Sequence, residues 1–330
     1  MKIRFLLLIL GFFACALKML PPSPDRFAPR LQEVEVINRT KINLKFNEDI
    51  LTETISPDSI IIISTSNETL AVKEISLGRK GNFITLITQK QQSIRYSLAA
   101  RVSDLAENRT KIAARFFGST LEDTVPPRIS GISPKLGATK QREAVRLELQ
   151  FSEEIDTILP IYWLILPKNI KNRFQTRWHP DHKRLTFYLE DSLGLDTIVY
   201  FTLLCSVFDF EENRLISPGF TFFTSDSLLN TVLVTGVVSD KDKAVTDGIV
   251  IFAKTQDDKD PMALAITDSI GSFAIQVRKG IYDVLVLADT NFDNRVDLSG
   301  KSQDFDTDLK ELRLEVYPDS LAEYFDWYLR

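Results

Sequence analysis

Cysteine and histidine are nearly missing: the 330-residue chain holds two of each, and three methionines. Two cysteines cannot build a disulfide-dense scaffold or a four-cysteine zinc site. Two histidines leave little room for metal or acid–base chemistry that relies on imidazole. Neither charge sign dominates, since 45 acidic residues face 40 basic ones for a net charge of −5, which argues against a general nucleic-acid binder. No Walker loop, nucleophile elbow, zincin helix or G-x-G-x-x-G is present, so no constellation for catalysis or a cofactor is visible and the chain reads as a non-enzyme. Hydrophobic residues reach 44% with 22 phenylalanines, which excludes general disorder. The length fits two or three domains of roughly 100–150 residues.

Apolar runs are short as well. Met1-Lys2-Ile3-Arg4 is a cationic start, and Phe5 to Ala14 is an uncharged run of ten residues. As a helix it would span about 15 Å, half of the roughly 30 Å hydrocarbon core, so it reads as an export signal and not as a membrane span. Two processing patterns fit the following residues. Phe12-Phe13-Ala14-Cys15 resembles the lipobox of bacterial lipoproteins, in which Cys15 would be lipidated and become the mature N-terminus. Ala14-Cys15-Ala16 also fits the small-x-small pattern of ordinary signal peptidase. Residues 1–16 are thus a signal, preferably of the lipoprotein type, and the Pro-rich 17–28 a stiff tether. Cys205, in the apolar run Tyr200 to Val207, reads as a small core residue.

The body of the chain repeats itself. Phe46-Asn47-Glu48-Asp49-Ile50 returns as Phe151-Ser152-Glu153-Glu154-Ile155, a shift of 105 residues. Tyr96, Asp104 and Asn108 return as Tyr200, Asp209 and Asn213, shifted by 104, 105 and 105. Each copy opens on Pro-Arg (Pro29-Arg30, Pro127-Arg128) and closes on an aromatic strand; the openings shift by 98, placing about seven extra residues near Ser133 to Thr139 of the second copy. Ile42, Leu44 and Phe46 alternate with Lys41, Asn43 and Lys45, as do Val145 to Phe151 with their polar neighbours, which is the period of a half-buried strand. Further strands are expected at 59–65, 83–88, 93–102, 161–166, 185–189 and 198–207. About seven short strands per hundred residues is the pattern of an immunoglobulin-like sandwich.

Taken together, D-x-x-P-P-R-I, F-S-E-x-I and Y-x(8)-D-x(3)-N resemble the bacterial Ig-like domain of the SbsA surface-layer type, in tandem over 29–119 and 124–226. Glu107 and Glu212 stand where that family's Asp-x-x-Gly-Asn turn has glycine. From Thr231 the pattern changes: strands are expected at 231–239, 248–254, 262–267, 271–277 and 281–288, joined by the turn Thr267 to Phe273. With Gly236-Val237-Val238 and Gly280-Ile281-Tyr282, this stretch (231–317) resembles the carboxypeptidase-regulatory-like, transthyretin-like sandwich, an accessory module that implies no peptidase activity. It carries 19 acidic and 11 basic residues with the tail 318–330, where Leu321, Tyr324, Phe325 and Tyr328 have helical spacing. The expected fold is all-β: two immunoglobulin-like sandwiches, a smaller transthyretin-like one and a short C-terminal helix.

Few residues offer chemistry. Asp289, Asn291, Asp293 and Asp297 space their oxygens like the start of an EF-hand calcium loop, although Gly300 stands where a bidentate acid is usual. Calcium is the one candidate cofactor; an Asn/Asp-rich turn fits the same residues. His179-Pro180-Asp181-His182 has metal-like spacing but falls where the first copy has the hairpin turn Gly78 to Asn82, so a turn is expected. Glu48 and Glu153 hold equivalent places in separate domains and are not expected to meet as an acid/base couple. The resulting expectation is a lipid-anchored bacterial cell-envelope protein, at the outer membrane or cell surface. It would use two sandwiches as a spacer about 70–80 Å long and display the third to an envelope protein or polysaccharide. The alternative is a carbohydrate- or peptidoglycan-binding module set, for which an exposed Trp178 beside Tyr188 would be the sign.

Overall fold

Period-two alternation becomes strands wherever one face can be buried. The computed structural model describes residues 25–318 apart from 52–53, 79–80, 228–229, 255–260, 292 and 294. The signal with Cys15 and the expected C-terminal helix lie outside those residues. No helix among the described residues is long and apolar enough to cross a membrane.

In the first copy β1 (Leu31–Val36), β2 (Lys41–Phe46), β4 (Val72–Leu77) and β5 (Phe83–Thr88) form an antiparallel sheet in the order β1-β2-β5-β4. Against it lie β3 (Ile61–Ser64), β6 (Arg95–Ser103) and β7 (Arg109–Phe117), in the order β3-β6-β7. Four strands facing three in this order is the constant-type immunoglobulin arrangement. Ile42, Leu44, Phe46 and Leu86 from one sheet meet Ile62, Leu98 and Val102 from the other, all buried.

The second copy repeats this with β8 (Ile129–Ser133), β9 (Arg146–Phe151), β10 (Trp163–Leu166), β11 (Phe174–Trp178), β12 (Arg184–Leu189), β13 (Ile198–Leu203) and β14 (Gly219–Thr224). Its sheets run β11-β12-β9-β8 and β10-β13-β14. The fourth strands, β4 and β11, were not expected from the sequence, because Val72-Lys-Glu-Ile-Ser-Leu and Phe174-Gln-Thr-Arg-Trp break the alternation. The extra residues between β8 and β9 run along β14: Gly137 and Gln141 donate their N–H groups to the carbonyls of Phe222 and Thr224. They cover a sheet edge that would otherwise be open to pairing.

One sequence correspondence fails in the structure. Tyr96 lies in the first core, whereas Tyr200 leaves its own sandwich and Phe201 takes the inward place. The true shift on this strand is 105, not the 104 that matching tyrosines imply. A one-residue offset turns a strand side chain to the opposite face. Tyr200, Leu164, Leu166, Leu204 and Phe222 therefore form an apolar outer face of the sheet β10-β13-β14.

The third module covers that face. It contains β15 (Thr231–Asp240), β16 (Lys243–Ala244), β17 (Ile249–Lys254), β18 (Pro261–Ile266), β19 (Ser272–Arg278), β20 (Ile281–Ala288), β21 (Leu298–Asp306), β22 (Glu311–Glu315) and β23 (Tyr317–Pro318). One sheet runs β16-β15-β19 with β22 parallel to β15; the other runs β18-β17-β20-β21-β23. The five expected strands are present within a residue or two of their expected limits, and β21 to β23 were not expected. Val234, Phe252, Ile275 and Val286 share one buried cluster with Leu164, Leu166, Tyr200 and Phe222 of the second sandwich. The Tyr200 hydroxyl donates to the Gln276 carbonyl at 2.6 Å, and Arg278 pairs with Asp196 at 2.9 Å. The second and third modules thus meet through a continuous apolar core. The first and second meet through charge, as described next.

Candidate functional site: a duplicated carboxylate cluster

In both copies the chain leaves the second strand on a buried phenylalanine and re-enters the core on a buried isoleucine: Phe46 and Ile50, then Phe151 and Ile155. The acidic pair between them is left at the sandwich end. Ile50 and Ile155 form isolated bridges to Asp104 and Asp209, bringing the D-x(3)-N turn beside that pair. Asp104 accepts from the backbone N–H of Ala106 and of Asn108, and from the Asn108 side-chain amide, each at 2.8 Å. Asp209 accepts from Glu211, Asn213 and the Asn213 amide at the same 2.8 Å. The asparagine amide then donates to the carbonyl of an aspartate in the segment leading into each copy, Asn108 to Asp25 at 3.1 Å and Asn213 to Asp123 at 2.8 Å. Glu107 and Glu212 adopt φ of +64° and +68°, so the left-handed turn position survives without the glycine that usually fills it.

Each copy therefore gathers three carboxylates. Asp25, Glu48 and Asp104 bring ligand oxygens within 4.8 Å of one another, as do Asp123, Glu153 and Asp209. Among the described residues these two groups are where acidic, histidine and cysteine side chains converge closely enough to share an ion. Glu48 and Glu153 do not meet each other, as expected, but each joins two aspartates of its own copy. The repeat shifts carried this signal, since the three pairs are displaced by 98, 105 and 105 residues.

The clusters differ in one respect. Lys41, at the start of β2 in the first sandwich, inserts its ammonium into the second cluster, 3.2 Å from Glu153, 3.6 Å from Asp123 and 3.6 Å from Glu154. Its side chain is 7% exposed. Burial works against the charged lysine, but Glu154, Glu153 and Asp123 outweigh it and hold its pKa above the usual lysine value. Burial raises Glu153 and Asp209 above the usual carboxylate range. It opposes Glu154 likewise, yet Lys183 at 3.0 Å and Lys41 hold that carboxyl below its usual value. Arg39 completes the joint by pairing with Glu122 and, at 2.7 Å, with the buried Glu211. The Ser76 hydroxyl and Leu77 N–H of the first copy donate to the carbonyls of Asp181 and Pro180.

The other sequence candidates stand apart. His179 and His182 lie in the β11–β12 hairpin turn, as expected. Their ring nitrogens face different partners, Thr186 at 2.9 Å and Glu74 of the first copy at 3.8 Å. The oxygens of the Asp289–Asp297 loop, between β20 and β21, accept from the loop's own backbone. Asp289 and Asn291 accept from the Asp293 N–H, Asp293 from Arg295, and Asp297 from Thr290 and Asn291. The Thr290 hydroxyl, foremost, holds Asp297 below the usual carboxylate range. Trp178 packs inward on Phe151 at 5.6 Å, whereas Tyr188 sits on the opposite face under Arg146. Those two rings therefore do not form one platform. Cys205 is half-buried and free, its thiol pushed up to about 12 by burial and by Asp247 and Asp289.

No protein-family model matches the chain, and no curated protein matches it. Among solved structures it is similar to the N-terminal part of the bacterial S-layer protein SbsC, at 11% identity and a TM-score of 0.27 over 60% of this chain and 44% of that one. A second SbsC structure, of domains 1–6, is 9% identical at a TM-score of 0.27, over 90% of this chain and 58% of that one. Domains A168–A170 of titin are 12% identical at a TM-score of 0.25, over 80% of this chain and 94% of theirs. The chain thus spans about half the length of the SbsC structures it matches. The immunoglobulin-like description rests on strand order and not on these likenesses.

Proposed function

We propose that the protein is a non-enzymatic, lipid-anchored spacer of a bacterial cell envelope, with two immunoglobulin-like sandwiches carrying a transthyretin-like module for display. The observation that carries this reading is the way the modules join. Buried ion pairs close the first joint and a shared apolar core closes the second, so three sandwiches are stacked in series with contacts at both junctions. Such construction suits holding one end at a distance from the other. Catalysis has no comparable support: Asp104 and Asp209 hold turns, and Asp123, Glu153 and Glu154 surround the Lys41 ammonium. A sugar-binding role is weakened by the division of Trp178 and Tyr188 between opposite sheet faces.

In this proposal Cys15 is the acylated N-terminus and the following proline-rich residues are the tether. Intact-mass analysis of the membrane fraction tests it. A mature chain starting at a diacylglyceryl-modified Cys15 is the expected result. A chain starting at Leu17 and recovered free of membranes would remove the anchor and the proposal with it.

A further inference from the structure

The outer face of the sheet β10-β13-β14 is a docking face, because the third module packs on it. The first sandwich has the same face on β3-β6-β7 and clothes it differently. Where the second sandwich has Tyr200 opposite Phe222 and Thr202 opposite Phe220, the first has Arg95 opposite Phe117 and Ser97 opposite Arg115. Toward the other end Arg101 stands opposite Lys111, and Arg109 opens β7 on the same side. Residues two apart on a strand share a face, so alternation gathers these cations on one surface. Arg95, Arg101, Arg109, Lys111 and Arg115 are all exposed, and Ser97, Ala99 and Ala113 between them are too short to cover them. The acidic Glu48, Asp104 and Glu107 lie on turns beyond the strand ends.

We propose that this basic face rests on an anionic lipid bilayer, a choice of partner that rests on the lipid-anchored reading. A protein partner fits poorly. Interfaces between proteins put apolar anchors at a desolvated centre and charges at the rim. Here the exposed Ile61 and Phe117 stand on the edge strands β3 and β7, while the central strand β6 carries Arg95 and Arg101. Lipid phosphates instead offer a broad negative surface, on which each lysine or arginine adds about fivefold in affinity. The chain's own entry brings the face there. Asn108, in the turn from β6 to β7, donates to the Asp25 carbonyl at 3.1 Å, so the leading segment joins the sandwich at the end that carries Arg101, Arg109 and Lys111. Asp25 stands ten residues after Cys15, an extended length of at most about 36 Å. The acyl chains then supply one membrane signal and the basic face a second, which also fixes the side that the first sandwich turns to the bilayer.

Amine acylation of the native full chain tests it, with the chain inserted into preformed vesicles of phosphatidylcholine alone or mixed equally with phosphatidylglycerol. Mass spectrometry follows Lys111, with Lys45 of the opposite sheet, its side chain 49% exposed, as internal control. Lys111 is expected to react at least about fivefold more slowly on anionic than on neutral vesicles, and Lys45 equally on both. Sodium chloride at about 1 M, where the Debye length is about 3 Å, should restore the Lys111 rate. Arg101→Gln/Arg115→Gln should restore it as well, and unchanged circular dichroism shows that this variant is folded. Equal Lys111 rates on both vesicles, in chain that still sediments with neutral ones, overturn the proposal and leave the anchor standing. Chain that does not sediment with neutral vesicles removes the anchor instead; the basic face then stands if that chain sediments with anionic vesicles and salt releases it, and falls if it does not. Protection of Lys111 in detergent that deepens with protein concentration would give the face to an acidic surface of a second copy, and overturns the proposal too.

Discussion

At the scale of single residues, side chains of one chemical type are put to opposite uses by burial. Asp104 and Asp209 are almost fully enclosed yet accept three hydrogen bonds each, which is what a buried carboxylate requires. Asp247, before β17 with φ of +57°, is less well supplied: burial pushes its carboxyl up to about 6, with Arg214 only partly opposing the shift. A carboxyl raised above its unfolded value contributes stability below the unfolded pKa and loses it as pH rises through about 6. Asp247→Asn keeps a residue tolerant of left-handed backbone and removes the charge. Because solvent still reaches part of this group and screens it, the variant should stabilise the protein by about 1–2 kcal/mol at pH 7 and by almost nothing at pH 4. Thermal unfolding at both pH values checks this, and an equal gain at the two would contradict the assigned cause.

At the scale of elements, face matters more than identity. Adjacent residues on β13 serve different modules, Phe201 its own sandwich and Tyr200 the third module. Tyr200→Ala should raise amide exchange in β15 and β19, and Phe201→Ala in β9 and β12, each by the several kcal/mol typical of a large aromatic deletion. Hydrogen-exchange mass spectrometry distinguishes them; the same strands loosening in both variants would show the face assignment to be wrong. β2, β9, β15 and β19 were legible because apolar and polar residues alternate along them, whereas β5, β12, β17, β18 and β20 are buried over most of their length and were legible as short apolar runs between turn signals. β4, β11 and β21 to β23 were not legible, because short or edge strands take their pairing from a neighbour and not from their own pattern. The parallel pairing of β22 with β15 brings together residues about 75 positions apart, which no local period can announce.

At the scale of the whole molecule, the two joints differ in kind. Apolar burial is cooperative across the second joint, since Leu164, Leu166, Tyr200 and Phe222 belong to the same cluster as the core of the third module. The first joint is made of charged and polar contacts, whose net worth is smaller because desolvation offsets attraction. Calorimetric unfolding should accordingly show two transitions, one for the first sandwich and one for the second and third together. Three separate transitions would mean that the shared core does not couple the last two modules.

Strand periodicity, duplication and the all-β class lay in the order of the residues, because a half-buried strand writes its face into every second position. The composition of each cluster was there too, in three acidic pairs displaced by nearly the same interval. Their convergence was not: Asp25 and Asp104 are 79 positions apart, and only the closing of one sheet over the other brings their oxygens together. That Lys41 belongs functionally to the second sandwich, and Tyr200 to the third, was likewise decided in three dimensions. A side chain's direction depends on register, and its neighbours depend on which module the fold sets against that face.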